Sequence, residues 1–140
     1  MENPGWSKTF LVMALLITSI SSFAHDLKYD SYLSLQESLA QDDFKSAKKI
    51  WSIICEKEIG HYAKDYSFKD CGKQIEDIKE LRISFKSLSE IYIKNGETIN
   101  NDKIVIAKCP MANARWLQKK GEIQNPYYGA SMLQCGSFEK

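Results

Sequence analysis

Histidine is scarce in this sequence: His25 and His61 are the only two histidines among 140 residues. Neither adjoins a cysteine, whereas general acid–base or nucleophilic catalysis usually needs a base held beside the reacting group. The sequence also lacks a glycine-rich phosphate loop, an H-E-x-x-H motif and a G-x-S-x-G motif. We therefore expect that the protein is not an enzyme.

An excess of charge of either sign is also missing. The chain has 19 Lys and Arg against 18 Asp and Glu, a formal net charge of +1, and the two signs are interspersed along it. Affinity for nucleic acids depends on a basic surface that neutralises phosphates. We predict that no nucleic acid is a partner.

Long hydrophobic runs are limited to one, FLVMALLITSI at residues 10–20. This run is shorter than the roughly 20 apolar residues that span a bilayer, which argues against an uncleaved membrane anchor. Lys8 precedes the run and Ser22, Phe23 and Ala24 follow it, an order typical of a secretory signal peptide. We predict that residues 1–24 are a signal peptide, that no stable membrane span remains after cleavage, and that residues 25–140 form a single domain.

The four cysteines include no C-x-x-C pair, which disfavours thioredoxin-like exchange and structural zinc. In an oxidising compartment they allow three alternative pairings. We favour Cys55 with Cys71 and Cys109 with Cys135, because each pair closes a short loop. Each disulfide would stabilise the domain by about 3 kcal/mol according to the loop-entropy relation.

Apolar residues recur at helical spacing in three stretches of the sequence. We predict helices over residues 26–39, from residue 44 to residues 58–60 with Asp42 as the N-cap, and over residues 75–95. For residues 61–72 a short helix and an ordered loop remain alternatives.

A short strand is predicted at residues 104–107, where β-branched side chains are concentrated. Its candidate partners are residues 114–117 and 132–138. The expected fold class is mainly α: a small up-and-down bundle of three or four helices with an irregular C-terminal β/loop cap.

Sulfur-containing residues bracket the segment at residues 107–138. Cys109 and Met111 lie at its start, and Met132 and Cys135 lie at its end. A proline turn lies between them, so the two ends can meet, and two thiolates with two thioethers suit Cu(I) or another soft ion. The alternative is a Cys109–Cys135 disulfide with both methionines in the core, and residue chemistry alone favours it.

The proline turn is rich in aromatic residues. These side chains either pack the cap onto the helices or present a binding surface, and we favour packing. The residues concerned are Trp116, Asn125, Pro126, Tyr127, Tyr128 and Gly129.

The C-terminal segment resembles the bacterial domain-of-unknown-function family numbered 3347. The residues that carry the resemblance are Cys109-Pro110-Met111, Trp116-Leu117, Glu122-Ile123, Asn125-Pro126-Tyr127-Tyr128-Gly129, Met132-Leu133 and Cys135-Gly136. Upstream, Arg82, Phe85 and Leu88-Ser89 also resemble the last long helix of that family. The rest of the chain matches only in helical character.

This resemblance implies a location and a partner. Members of the family occur alone behind a signal peptide or fused to periplasmic adaptor subunits of copper and silver efflux systems. It therefore implies a protein of the Gram-negative envelope, periplasmic or secreted, with a periplasmic efflux component as its partner. Many members carry a histidine beside the phenylalanine that matches Phe85, whereas this chain has Ser84, which leaves the sulfur residues as the candidate site.

Our leading hypothesis is a copper- or silver-binding or sensing accessory of a metal efflux or handling system, with Cu(I) or Ag(I) bound by Cys109, Met111, Met132 and Cys135. The alternative is a disulfide-stapled envelope interaction module that binds no metal.

Overall fold

The computed structural model describes residues 29–58, 68–95 and 103–139. The predicted signal peptide and both histidines lie outside these ranges. The chain divides into two compact units, Met1–Asp30 and Ser31–Lys140. Apart from the first two described residues, all of the structure considered below belongs to the second unit.

Two helices begin the described chain. Helix α1 covers residues 29–40, and helix α2, Phe44–Ile53, continues into a single π-helical turn, Ile54–Glu58. The predicted N-cap of α2 was wrong by one residue: the side chain of Asp43 accepts the hydrogen bond from the Ser46 amide, at 3.0 Å. Asp42 has a φ of 59° and so lies in the tight turn before the cap.

Helix α3, Ile78–Asn95, is the longest element of the described chain. The Asp77 carboxylate accepts a hydrogen bond from the Glu80 amide at 2.9 Å, which fixes the start of the helix. The predicted apolar stripe is buried at Leu81, Phe85 and Leu88. Before α3, a short 3-10 helix, Lys69–Gly72, carries Cys71, which forms a disulfide with Cys55.

The C-terminal part contains a three-stranded antiparallel sheet of order β2-β1-β3. Strand β1, Ile104–Cys109, pairs along its whole length with β2, Ala114–Lys119. Strand β3, Ser137–Phe138, pairs with β1 at Lys108 and Ala107.

The predicted mainly-α bundle is therefore wrong, and the fold is α+β. The sheet is part of the core and not an irregular cap: Ala107 on β1 and both Trp116 and Leu117 on β2 are completely buried. Helix α3 packs on β2, and Arg115 of β2 makes a two-pronged ion pair with Glu90 of α3, at 2.7 and 3.2 Å. A sheet that shares its apolar residues with a helix forms a second layer of the core.

Two tyrosine hydroxyls cover the outer edge of β2. The Tyr32 hydroxyl on α1 accepts a hydrogen bond from the Leu117 amide at 3.1 Å, and the Tyr127 hydroxyl donates to the Arg115 carbonyl at 2.9 Å. Unpaired strand edges invite pairing with other chains, and buried backbone polar groups need partners. The side chains thus replace a fourth strand at this edge.

Among the helices in the described part of the chain, none combines the length and apolarity that crossing a membrane requires.

Candidate functional site

Cys109 lies at the end of β1, where the chain enters the turn to β2. Its side chain is 1% exposed, and the Ala112 amide points at its sulfur, with the nitrogen 3.5 Å from Sγ. The turn closes through a hydrogen bond from the Asn113 amide to the Pro110 carbonyl, with Asn113 at a φ of 46°. Asparagine tolerates this left-handed conformation better than most residues. The hairpin turn therefore directs a backbone donor at a buried thiol.

Cys135 reaches Cys109 from the C-terminal loop, which we define as residues 120–136. The two Sγ atoms are 3.5 Å apart, and both thiols are free. The Cys135 amide donates to the Met132 carbonyl, and its carbonyl accepts from the Asn125 side chain at 2.7 Å. The second disulfide favoured from the sequence is therefore not formed, although its two sulfurs are in contact.

The structure brings one of the two methionines to this pair. Met111 Sδ lies 3.9 Å from Cys135 Sγ, and the Met111 side chain is 65% exposed. Met132 lies in a short 3-10 helix, Gly129–Met132, and contributes its backbone carbonyl. Within the described residues its side chain makes no such sulfur contact. Three of the four predicted ligands thus converge, and we refer to Cys109, Met111 and Cys135 as the sulfur cluster.

The two thiols differ in their acidity. Burial raises the pKa of the Cys109 thiol, but hydrogen bonds from the Ala112 amide, Cys135 and Asn125 outweigh it, so the net pKa is lowered. The hydrogen bond to Cys109, followed by burial and the charge of Cys109, raises the pKa of Cys135. Cys109 is therefore the more acidic thiol of the pair.

Asn125 organises the C-terminal loop. Its side chain is completely buried, and its Oδ1 accepts hydrogen bonds from the Tyr127 and Tyr128 amides, at 2.8 and 3.3 Å. The backbone N–H of Asn125 donates to the Leu133 carbonyl at 2.7 Å. Together with the bond to the Cys135 carbonyl, these contacts tie the aromatic turn, residues 125–129, to the backbone that carries the second thiol.

Arg82 of α3 holds the same loop from the helical side. It donates to the Pro126 carbonyl at 2.7 Å, to the Leu39 carbonyl at 2.8 Å and to the Asp42 carboxylate at 2.6 Å. The other oxygen of Asp42 accepts from the Ala130 amide. The sequence pattern did not reveal this role of Arg82, because a single arginine on a helix face gives no sign of its distant carbonyl partners.

The aromatic residues of the turn are packing groups in this structure. Tyr127 lies against Phe85 and Trp116, with ring centroids 5.9 and 5.8 Å away. Burial raises the pKa of Tyr127, so its hydroxyl stays protonated and donates to β2. Trp116 and Pro126 are completely buried, Gly129 is buried, and Tyr128 is half-buried.

A soft metal ion fits the sulfur cluster by chemistry and by spacing. Thiolate and thioether sulfurs are the ligands that Cu(I) prefers. With a metal–sulfur bond of about 2.3 Å, one ion reaches two sulfurs that are less than about 4.6 Å apart, and the 3.5 and 3.9 Å separations satisfy this limit. No group of three His, Cys, Asp or Glu side chains converges as a metal site in the described ranges.

Comparisons of the chain with models of known protein families, with curated proteins and with solved structures gave no match. The functional interpretation below therefore starts from the geometry of the site.

Proposed function

We propose that the protein binds Cu(I) or Ag(I) at the sulfur cluster and serves as a periplasmic accessory of a metal efflux or handling system. The observation that carries the proposal is the convergence of Cys109, Cys135 and Met111 through contacts of 3.5 and 3.9 Å. Cys109 and Cys135 supply two thiolates, each losing its proton on binding, and Met111 supplies a thioether.

The surroundings of the cluster support this role. The Ala112 amide and the Asn125 side chain favour the thiolate of Cys109 and lower its pKa, so this ligand loses its proton to an incoming ion more readily. Met111 lies at the surface, so its thioether is accessible to an ion from solvent. The efflux partner and the periplasmic location follow from the family resemblance and from the predicted signal peptide.

The proposal is tested by titrating the reduced protein against a competing Cu(I) chelator. We expect the Cys109→Ser/Cys135→Ser variant to lose binding and Met111→Leu to weaken it by about tenfold, as one lost soft ligand would. Affinity should also fall as the pH falls, because protons compete for the thiolates.

Met132→Leu is the matched control. It makes the same Met-to-Leu change in the C-terminal loop, outside the sulfur cluster, and should leave the affinity unchanged. Equal affinities for wild type and the cysteine variant, or no binding by wild type, would refute the metal function.

The second candidate is an envelope interaction module stapled by two disulfides and free of metal. It is favoured by the Cys55–Cys71 disulfide and by the direct contact between the other two sulfurs. Counting free thiols in the exported protein after mild reduction separates the candidates: four cysteines that stay oxidised support the module, whereas free Cys109 and Cys135 support metal binding.

A further inference from the structure

The Cys109–Cys135 pair has the geometry of a reversible dithiol. The two sulfurs are 3.5 Å apart, and each must move by less than 1 Å on average to reach the bonding distance of about 2.05 Å. Cys109 is buried at 1% exposure, whereas Cys135 is half-buried in the loop. An external reagent therefore reaches Cys135 first.

We propose that this pair exchanges with external disulfides, with Cys135 as the entry sulfur and Cys109 as the resolving sulfur. The substrate class is a small or peptide disulfide of the glutathione type. This inference stands on the sulfur geometry and does not require that the protein bind a metal.

The exchange proceeds in two balanced steps. The Cys135 thiol loses its proton to solvent, attacks one sulfur of the external disulfide and forms a mixed disulfide, while the other sulfur leaves as a thiolate. The Cys109 thiol then loses its proton to solvent and attacks Cys135 Sγ, so the Cys109–Cys135 bond forms and the second external thiolate leaves. Each leaving thiolate takes up one proton from solvent. Two electrons pass from the two cysteines to the external disulfide, which becomes two thiols.

The fold supports this division of roles. The Ala112 amide fixes Cys109 in place, and the bond from Asn125 to the Cys135 carbonyl holds the loop so that the two sulfurs face each other. A mixed disulfide on Cys135 therefore has its resolving sulfur in van der Waals contact. Oxidation also places both thiolates of the sulfur cluster in a covalent bond, which would switch off soft-metal binding if that function holds.

The test uses the full exported protein, free of metal and in the presence of a metal chelator, with oxidised glutathione as the probe. Wild type should form the Cys109–Cys135 disulfide, and reduced glutathione should reverse it. Cys109→Ser should accumulate glutathione on Cys135, and Cys135→Ser should acquire an adduct at least tenfold more slowly. Peptide mapping identifies the modified residue.

Brief alkylation of reduced wild type tests the order of reaction without a substitution. Cys135 should be labelled before Cys109, and the Cys55–Cys71 disulfide, left intact by mild reduction, should take no label. The proposal is overturned if Cys109 reacts first, if the two single variants take up glutathione equally fast, or if wild type keeps both thiols in excess oxidised glutathione. A metal titration that fails while these results hold would remove the metal function alone.

Discussion

Gly136 lies so close to the backbone of Lys108 that a Cβ at Gly136 would stand 2.7 Å from the Lys108 carbonyl oxygen. These two residues are the chain neighbours of Cys135 and Cys109. Gly136 also has a φ of 145°, a conformation that residues with side chains rarely adopt. The missing side chain is therefore what allows the C-terminal loop to bring the second thiol against the end of β1.

Gly136→Ala should destabilise the protein and separate the two thiols. The added methyl group meets a backbone atom that cannot move aside, and the left-handed backbone adds strain, so we expect a loss of about 2–4 kcal/mol in the free energy of unfolding. Urea unfolding measures the loss, and the rate of Cys109–Cys135 disulfide formation should fall with it.

Gly121→Ala is the matched control for this substitution. Gly121 has a similar φ of 153°, but a Cβ there meets no atom within 4 Å. Its cost should be limited to backbone strain, roughly 1 kcal/mol, and disulfide formation should be unaffected. Equal effects of the two alanines on both measurements would show that the contact with Lys108 does not matter.

Arg82→Lys should cost about 1–3 kcal/mol, although it keeps the charge. The single ammonium group of lysine cannot reproduce the fork that bonds the Pro126 carbonyl, the Leu39 carbonyl and the Asp42 carboxylate, so partly buried carbonyls lose their donor. Thermal or urea unfolding measures the cost. Lys79→Met, an exposed position on the same helix, should change stability by less than about 0.5 kcal/mol. If the Arg82→Lys protein were as stable as wild type, the hydrogen bonds of the Arg82 guanidinium would not stabilise the fold.

Asp42 should make stability depend on pH in the acidic range. The pKa of Asp42 is lowered, first by the hydrogen bond from the Ala130 amide and then by Arg82. A lowered pKa in the folded state means that the unfolded chain binds the proton more tightly. The stabilisation is therefore complete above the unfolded-state pKa of about 3.9 and is lost as the pH falls below it.

Asp42→Asn tests this dependence through unfolding free energies measured from neutral to acidic pH. The side chain is 42% exposed, so solvent screening limits the effect to about 1 kcal/mol or less. The difference from wild type should be largest at neutral pH and should shrink as the pH approaches 2. Glu37→Gln, which removes an exposed acid of α1, is the control for net charge. A difference that does not change with pH would rule out the proposed linkage.

The helical stripe of α3 was predictable because periodic burial is a local property of the sequence. Leu81, Phe85 and Leu88 recur on one face, and all three are fully buried. The strand at β1 was predictable for a similar reason, since β-branched residues concentrate there. Both elements form as predicted because core packing and local conformational preference favour the same secondary structure.

The role of the sheet was not predictable in the same way. Strand β2 buries Trp116, Leu117 and Gln118 in succession, which hides the alternation expected of a half-buried strand. Strand β2 is buried because α3, the C-terminal loop and the hydroxyls of two distant tyrosines cover it. A sequence read locally therefore favours a bundle with a loose cap, whereas long-range contacts create an α+β core.

The candidate site was predictable in part. The turn at Pro126 correctly suggested that Cys109 and Cys135 meet, because a chain reversal between two cysteines brings them together. The place of Met132 depends on the orientation of a four-residue 3-10 helix, which its spacing from Cys135 does not determine. The Ala112 amide beside Cys109 could have been predicted from the local sequence, because the proline directly after Cys109 favours a turn there.

Tyr32→Phe should destabilise the protein because it removes a hydrogen-bond acceptor at the outer edge of β2. The substitution keeps the ring, which stacks on Phe85 and Tyr92 with centroids 5.3 and 4.6 Å away. It removes the hydroxyl, which bonds Ser89 Oγ at 2.7 Å and accepts from the buried Leu117 amide. An orphaned buried donor costs about 1–3 kcal/mol.

Hydrogen exchange at Leu117 gives this prediction a readout that general loss of stability does not reproduce. In Tyr32→Phe the Leu117 amide should lose protection relative to the amides of β1, because its only acceptor within the described residues is the tyrosine hydroxyl. Tyr128→Phe is the control, since the structure shows no hydrogen bond from that hydroxyl among the described residues, and it should change stability by less than about 0.5 kcal/mol. If the Leu117 amide stays as protected as in wild type, it has found another hydrogen-bond acceptor, and Tyr32 stabilises the protein only through its ring.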